Sequence, residues 1–315
     1  MAQLFALFAG NSALETVDLS FEIASSPHDV LPESSISVFL PHLRRLAVNG
    51  NAAGYAQLLN LLKFSCELKH VRADLFLDMI AMDVAAALSP FLSNLFHERQ
   101  RVDLAIQIVY ALVGLSINVS HIGEQGGDVE DFLMLRISSL DIGFWDIAPT
   151  LPEEVAGRLP TASITGLSIR RYSPMFRQDF HNLFQTIGAV KELRVTDSAI
   201  SDIVRALASP TPAMEEGETA PLPHLHTFRL KDINFASSPH SGAIAHLSHL
   251  LEQRYRDGIP LSKLAMAYCP NFCRKRARPE FTRYLKDHFC WDRYEAVGDR
   301  PQVCGTCHTR WGDLD

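Results

Sequence analysis

The chain has 315 residues, of which 47% are hydrophobic and 21% charged, so it can bury a sizeable core and is neither collagenous nor low in complexity. Its net charge of −7 argues against bulk nucleic-acid binding, because proteins that coat a phosphate backbone usually carry excess positive charge. The six cysteines come without a secretory signal, and a disulfide scaffold is therefore not expected.

A tetrapeptide that occurs twice opens the same apolar pattern each time. Leu40-Pro41-His42-Leu43 leads to apolar residues at 46 and 48, and Leu222-Pro223-His224-Leu225 leads to apolar residues at 228 and 230. The shared pattern, L-x-x-L-x-L, is the strand of a leucine-rich repeat. Further copies begin at Leu14, Leu68, Leu112, Ile137, Ile164, Val190 and Leu261. Five of the eight spacings between starts lie within the roughly 20–29-residue period of such repeats.

Segments of helical period fill most gaps between these predicted strands. Residues 1–13 are expected to end a helix of a preceding repeat, and residues 179–186, 201–208 and 242–256 predict amphipathic helices, the last stopped by Gly258. Residues 25–35, 123–128 and 210–221 lack an apolar period and are expected to be loops. This alternation predicts an α/β fold over residues 1–269: an irregular leucine-rich-repeat solenoid with a concave parallel β-sheet and outer helices. Residues 270–315 are expected to form a cap or tail.

An uncharged run over residues 104–123 has the length of a membrane span. Polar residues, among them Gln107 and Asn118, interrupt it, and the copy Leu112-x-x-Leu115-x-Ile117 lies in its second half. Parallel strands read as nearly continuous hydrophobic stretches, so we expect a helix followed by a buried parallel strand and no membrane segment.

The last predicted helix and the strand after it carry the most specific stretch, Leu247-x-x-Leu250-Leu251-Glu252-x-Arg254-x-x-x-Gly258-x-x-Leu261-x-x-Leu264. Together with residues 14–21 and with Trp291-Asp292 after a short predicted helix, it resembles the C-terminal repeat region of fungal F-box/leucine-rich-repeat-like proteins, over roughly residues 12–295. The resemblance implies a module that presents a substrate to a ubiquitin ligase. No F-box fits before Leu14, so a Skp1-type adaptor is expected as a partner only if a longer transcript restores that segment upstream. A repeat scaffold independent of ubiquitin is the alternative.

Alternate residues of the predicted strands would point to the open concave face. In the first half this face carries a mixed set: Asp18, Arg45, Arg72, Asp74 and Asp141. In the second half it carries Arg170, Arg194, Arg229, Lys231 and Lys263, with Glu192 as the acidic exception. We expect these five cations to bind an acidic segment of a protein partner. The alternative is a solvated sheet surface without a ligand, since charge runs are often only wet surface.

The C-terminal cysteines suggest a metal site. Cys304-Gly305-Thr306-Cys307 has the knuckle spacing of a zinc site, His308 adjoins it, and Cys290 could complete the ligand set. Cys269-x-x-x-Cys273 and His288 are further candidate ligands. A structural zinc module at the C-terminus of an inert solenoid is thus a third functional hypothesis, and unconnected reduced thiols are the alternative. No other cofactor is expected.

No catalytic constellation is present in the sequence. It contains no Gly-x-Ser-x-Gly, no Walker lysine and no His-Glu-x-x-His, and the only local histidine grouping lies between His224 and His249. We therefore expect no enzymatic activity. The basic run at residues 274–278 is either a nuclear signal or the exposed entry to a helix at 279–289, so the expected location is the cytoplasm, with the nucleus as the alternative.

Overall fold

The computed structural model describes residues 2–20, 37–65, 68–76, 84–96, 103–111, 114–121, 131–138, 150–159, 161–171, 180–197, 200–208, 220–233, 235, 242–269, 281–286 and 288–291. The loops expected at 25–35 and 123–128, nearly all of the loop at 210–221, and residues 304–308 lie outside these ranges. The chain forms two compact units, Met1–Ile164 and Thr165–Asp315. Each is a mixed α/β structure with a sheet that is mostly parallel. The predicted division at residue 269 stays a prediction.

Unit 1 places six strands in one sheet, in the order β1-β3-β5-β8-β7-β6, and β2 and β4 in a separate parallel pair. Its elements are α1 (Ala2–Ala9), β1 (Thr16–Ser20), β2 (Val38–Leu40), β3 (Arg45–Asn51), α2 (Ala52–Leu61), β4 (Leu62–Phe64), β5 (His70–Phe76), α3 (Val84–Phe96), β6 (Leu104–Ala111), β7 (Gly114–His121), β8 (Asp131–Ser138), α4 (Thr150–Arg158) and a 3-10 helix (Thr161–Ser163).

Unit 2 alternates strands and helices more regularly, and its strands follow one another across the sheet, β9-β10-β11-β12-β13, all parallel. Its elements are β9 (Ile164–Arg171), α5 (His181–Thr186), β10 (Glu192–Asp197), α6 (Ile200–Leu207), β11 (Thr227–Lys231), α7 (Ala243–Arg256), β12 (Lys263–Ala267) and β13 (His288–Trp291). The helices predicted at 179–186, 201–208 and 242–256 are therefore confirmed. After the last of them Gly258 has φ +73°, the left-handed conformation that ends a helix.

Eight of the nine predicted repeat copies form a strand where the pattern places it: β1, β3, β5, β7, β9, β10, β11 and β12, of which β7 runs antiparallel to its neighbours. Within unit 2, neighbouring strands pair in register, so equivalent positions of successive copies lie side by side. The second apolar position gives the row Leu167, Leu193, Phe228 and Leu264, and all four side chains are buried. Because parallel pairing stacks like on like, the repeated apolar pattern becomes a continuous core.

The repeated tetrapeptide forms the same turn in both places. The N–H of Leu43 donates to the carbonyl of Leu40 at 3.4 Å, and the N–H of Leu225 donates to the carbonyl of Leu222 at 3.1 Å. The proline after the first leucine is the second residue of this turn, where its fixed φ is favourable. Its missing N–H costs nothing there, because the hydrogen bond of the turn uses the N–H of the fourth residue. The same three-residue step precedes β1, β5 and β10, where other residues replace the tetrapeptide.

Neighbouring strands are also linked by main-chain hydrogen bonds just before β3, β5, β11 and β12 begin. The carbonyl of Glu15 accepts the N–H groups of Arg44 (2.8 Å) and Arg45 (3.1 Å). The carbonyl of Lys191 likewise accepts two, from His226 (2.9 Å) and Thr227 (3.0 Å). Arg44 and His226 serve the next repeat in the same way. One main-chain oxygen thus fixes where the following strand starts.

The region 104–123 corrects the sequence interpretation. Its first half is the strand β6, not a helix, and β7 pairs antiparallel to both β6 and β8. Alternate side chains of β6 are buried, from Leu104 through Ile106 and Ile108 to Tyr110, which is the period of a strand. The copy expected from Ile137 lies mostly outside the described ranges, which include only Ile137 and Ser138, the last two residues of β8. No helix in the described ranges is long and apolar enough to cross a membrane.

The helix predicted for residues 279–289 is also wrong at its end. His288 lies opposite Lys263 and Trp291 opposite Met266, in the parallel strand β13. The open edge of β12 offers unpaired main-chain groups, and an added strand satisfies them better than a short helix would.

Candidate binding face on the second sheet

The sheet of unit 2 has one apolar face and one polar face. On β11, Phe228 and Leu230 are fully buried, whereas the residues that alternate with them, Thr227, Arg229 and Lys231, are partly exposed. The same alternation holds on β9 and β10. We call the polar side the open face; its positions on β9 to β12 are Gly166, Ser168, Arg170, Glu192, Arg194, Thr196, Thr227, Arg229, Lys231, Lys263, Ala265 and Ala267.

All five cations predicted from the sequence lie on this open face. Arg194 is directly opposite Arg229 on the adjacent strand, about 5 Å away in the sheet. Lys231 is two residues further along β11 and shares a row with Arg170, with Thr196 between them. Lys263 lies opposite Thr227. The sheet therefore gathers cations from four separate repeats on one surface.

Glu192 is paired with two of these arginines. Its Oε1 lies 2.5 Å from Nε of Arg194 and 2.9 Å from Nε of Arg229. The side chain of Arg229 is only 15% exposed, compared with 41% for Arg194 and 28% for Glu192. One carboxylate thus faces two guanidinium groups, and the trio keeps a net positive charge in a partly desolvated position.

Unit 1 has a related trio on its own sheet. Asp74 lies 2.7 Å from Nε of Arg72 and 3.9 Å from Nε of Arg136, which is its direct neighbour on β8. Both arginine side chains are more than half exposed, so solvent screens this trio more strongly. Asp18 and Arg45 are exposed as predicted, and Asp141 lies outside the described ranges. This surface is mixed in charge, as the sequence indicates.

The open face narrows at β12. Ala265 and Ala267 occupy open-face positions, yet both side chains are fully buried. Lys263 at the start of the strand is half-buried. The accessible part of the open face is therefore formed by β9, β10 and β11, together with the first residue of β12.

Arg254 has a structural role that the sequence analysis did not predict. It is 2% exposed on α7, and its guanidinium donates to the carbonyls of Pro221 (3.1 Å) and Leu222 (3.0 Å), which open the second tetrapeptide turn. Burial lowers the pKa of Arg254 to about 10, and the negative charge of Asp257 opposes that shift. A signal existed: residues 247, 250, 251 and 254 follow the i, i+3, i+4, i+7 spacing of a buried helix stripe.

The predicted metal site is only partly described. Cys304, Cys307 and His308 lie outside the described ranges, and for Cys290 the structure gives the strand position opposite Ala265. Cys269 is buried, with Sγ 3.3 Å from the carbonyl of Ala267. Burial raises the pKa of the Cys269 thiol to about 11. No group of three metal-ligating residues occurs in the described ranges. The zinc site stays a prediction; less than about 0.2 equivalents of zinc in purified protein would end it.

Comparison with known proteins adds no relative. No family model, no curated protein and no solved structure matches the chain.

Proposed function

We propose that this chain is a protein-interaction module, built as an irregular leucine-rich-repeat solenoid, whose open face in unit 2 binds a protein partner. The observation that carries the proposal is the gathering of Arg170, Arg194, Arg229, Lys231 and Lys263 on the exposed side of in-register parallel strands. Repeat proteins bind partners through such extended sheet surfaces. The excess positive charge favours an acidic segment of that partner.

The repeat interpretation has support beyond the L-x-x-L-x-L pattern. The full template continues to an Asn or Cys three residues after the last apolar position, where the side chain satisfies main-chain groups. Asn51 and Cys269 stand there in two copies. Asn51 accepts from the N–H groups of Ala53 and Gly54, and Sγ of Cys269 lies 3.8 Å from the carbonyl of Leu230 in the preceding repeat.

Two roles for the module are compatible with its resemblance to F-box/leucine-rich-repeat-like proteins. It either presents substrates to a ubiquitin ligase, with an F-box that binds a Skp1-type adaptor, or serves as a scaffold independent of ubiquitin. Reading the 5′ end of the transcript separates them. An in-frame upstream segment that encodes an F-box would favour the receptor, and a stop codon immediately upstream in a full-length message would favour the scaffold.

The binding proposal is tested by cross-linked capture from an extract of the source cells. The test variant is Arg194→Glu with Arg229→Glu, which reverses two charges on the open face. The control is Arg205→Glu with Arg256→Glu, which changes the net charge equally at two exposed positions of the same unit, on the helices α6 and α7. We expect a partner captured by the wild type and by the control, but not by the open-face variant, and capture that weakens with salt.

A milder variant guards against misfolding, since Arg229 is mostly buried. Arg194→Gln with Arg170→Gln neutralises two cations without placing new acids beside Glu192. It should keep the wild-type unfolding midpoint and still lose at least about ten-fold in capture affinity, since charge pairs across an interface contribute a kcal/mol or more. Equal capture and equal salt dependence for wild type and both open-face variants would overturn the proposed function.

A further inference from the structure

The open face already holds a carboxylate at its centre. Glu192 is the only acidic residue among the twelve open-face positions, and it uses one oxygen to meet both Arg194 and Arg229. A guanidinium presents several N–H donors in a planar fork that suits carboxylates, and here two guanidinium groups converge on one carboxylate. The pair of arginines therefore has the composition of a carboxylate-binding site, and Glu192 of the same chain occupies it.

We propose that Arg194 and Arg229 bind a carboxylate of an acidic peptide segment, and that Glu192 is an intramolecular stand-in that this segment displaces. The inference rests on the proposed function, because it specifies how the partner engages the open face. Glu192 is 28% exposed and lies on the open side of β10, so its carboxylate can turn from the arginines into water. Arg229 is 15% exposed and stays in place to receive the new carboxylate.

The neighbouring charges favour an anionic peptide over other anions of similar sign. Lys231 is two residues from Arg229 on the same face of β11, a separation of about 7 Å that matches alternate side chains of an extended peptide. No aromatic side chain stands among the twelve open-face positions, so single-stranded nucleic acid would find no stacking platform there. The chain as a whole carries −7, which further disfavours a polyanion that contacts a wide surface.

The stand-in role makes a counterintuitive prediction for Glu192→Gln. Glutamine keeps the shape and can still accept a hydrogen bond from one arginine, but it no longer competes as an anion. With a fluorescent hexaglutamate peptide as the probe, anisotropy at low ionic strength should show affinity at least about three-fold tighter than wild type. Arg194→Gln should weaken the same binding by about three-fold or more, because it removes half of the pair.

The matched control is Glu252→Gln on α7. Glu252 is also a partly exposed glutamate paired with an arginine, Arg256, and its replacement changes the net charge of the chain by the same amount. It should leave peptide affinity unchanged. If Glu192→Gln binds the peptide no tighter than Glu252→Gln, Glu192 is no competitor and the inference fails. If Glu192→Gln binds more weakly than wild type, Glu192 only positions the arginines, and the inference fails as well.

Further arms separate this inference from the proposed function. Tighter binding of an oligothymidylate than of hexaglutamate, with the same gain in Glu192→Gln, would overturn the choice of a peptide as ligand. If partner capture depends on the open face while Glu192→Gln gives no gain, only the stand-in role is lost. If neither capture nor peptide binding responds to Arg194→Gln with Arg170→Gln, the proposed function falls with it.

Discussion

Arg254 illustrates how a single side chain can hold two repeats together. Its long stem lies on the buried stripe of α7, and its charged end meets two carbonyls of the turn before β11. A buried charge is costly unless it is hydrogen-bonded, and here the guanidinium donates to two carbonyls of the turn, of which that of Leu222 also accepts the N–H of Leu225. The sequence of the turn can vary as long as its carbonyls keep their positions.

We expect Arg254→Met to destabilise the protein by about 1–3 kcal/mol, because the carbonyl of Pro221 loses this donor and that of Leu222 keeps only the N–H of Leu225, while the packing volume is roughly kept. Urea unfolding followed by circular dichroism measures the change. Arg256→Met on the same helix is the control: that side chain is 69% exposed, and its ion pair with Glu252 should contribute less than about 0.5 kcal/mol. Equal midpoints for the two variants would contradict the structural role of Arg254.

Cys269 gives the stability a pH dependence of known sign. Its folded pKa is raised from 9.0 to about 11 by burial, so the folded state holds the thiol proton more tightly than the unfolded state does. The resulting contribution is fully present below pH 9 and is lost as pH rises from about 9 to 11. Relative to Cys269→Ala, the wild type should lose about 2 kcal/mol over that window. Chemical unfolding of both proteins at pH 8 and pH 10.5 tests this, and parallel pH profiles would refute it.

At the scale of elements, α3 depends on a residue of α2. Pro90 lies inside α3, where a proline removes one helical hydrogen bond and crowds the preceding turn. The side chain of Asn60 donates to the carbonyl of Ala87 at 2.8 Å and accepts from the N–H of Phe91 at 3.0 Å. Those two main-chain groups would pair with each other in an unbroken helix. Asn60 thus supports the helix where the proline strains it, and links the two helices.

A double-mutant cycle tests this link. Asn60→Ala should cost about 1–3 kcal/mol in the wild type, because it removes both hydrogen bonds. In a Pro90→Ala background the helix can close its own bond, so the same substitution should cost at least about 1 kcal/mol less. Asn94→Ala, at an exposed position of α3, is the control and should change stability by less than about 0.5 kcal/mol. Additive effects of Asn60→Ala and Pro90→Ala would show that Asn60 acts elsewhere.

The sequence predicted elements where one periodicity dominated. Leu225-x-x-Phe228-x-Leu230 and its counterparts could be placed because their apolar residues repeat at a fixed register, and α7 because its apolar stripe has helical spacing. The prediction of a helix over residues 104–111 was wrong because the uncharged run resembled a buried helix. The buried side chains at Leu104, Ile106, Ile108 and Tyr110 occupy every second position, which is the period of a strand. Gly114, the first residue of β7, lies close to β8: a Cβ there would meet the carbonyl oxygen of Ile137 at 2.6 Å. Only the antiparallel pairing reveals that constraint.

The candidate site was predictable in part for the same reason. Strand alternation was enough to put Arg170, Arg194 and Arg229 on one face, since side chains of a strand change sides at every residue. It was not enough to predict that Glu192 meets two arginines, because the adjacent-strand contact with Arg229 depends on the register of β10 against β11. The burial of Ala265 and Ala267 depends on long-range packing and had no local signal.

Across the whole molecule, the charge of the open face differs from the charge of the chain. The sequence has a net charge of −7 and a pI near 6.0, whereas the open face of unit 2 carries five cations and one acid. A local positive surface can attract an acidic segment even though the chain as a whole is acidic. The net charge of the chain therefore does not describe the charge of this surface.

The repeated contacts also predict how far the destabilising effect of one substitution extends along the sheet. In a repeat array each strand is stabilised mainly by its immediate neighbours. Arg254→Met disturbs the turn before β11, so amide hydrogen exchange measured by mass spectrometry should accelerate most in β11 and β12 and least in β9. A uniform acceleration over the five strands of unit 2 would mean that the unit opens as one cooperative body instead.

The paired hydrogen bonds to one carbonyl before β3, β5, β11 and β12 have a consequence for evolution. The residues that supply this oxygen are Glu15, Arg44, Lys191 and His226, four different side chains for one task. The accepting oxygen belongs to the main chain, and every amino acid has this carbonyl group. The hydrogen bonds therefore make no demand on the identity of the side chain. Surface positions can therefore drift through many substitutions while each strand begins in the same place. We therefore expect homologues of this protein to diverge faster in amino-acid sequence than in fold.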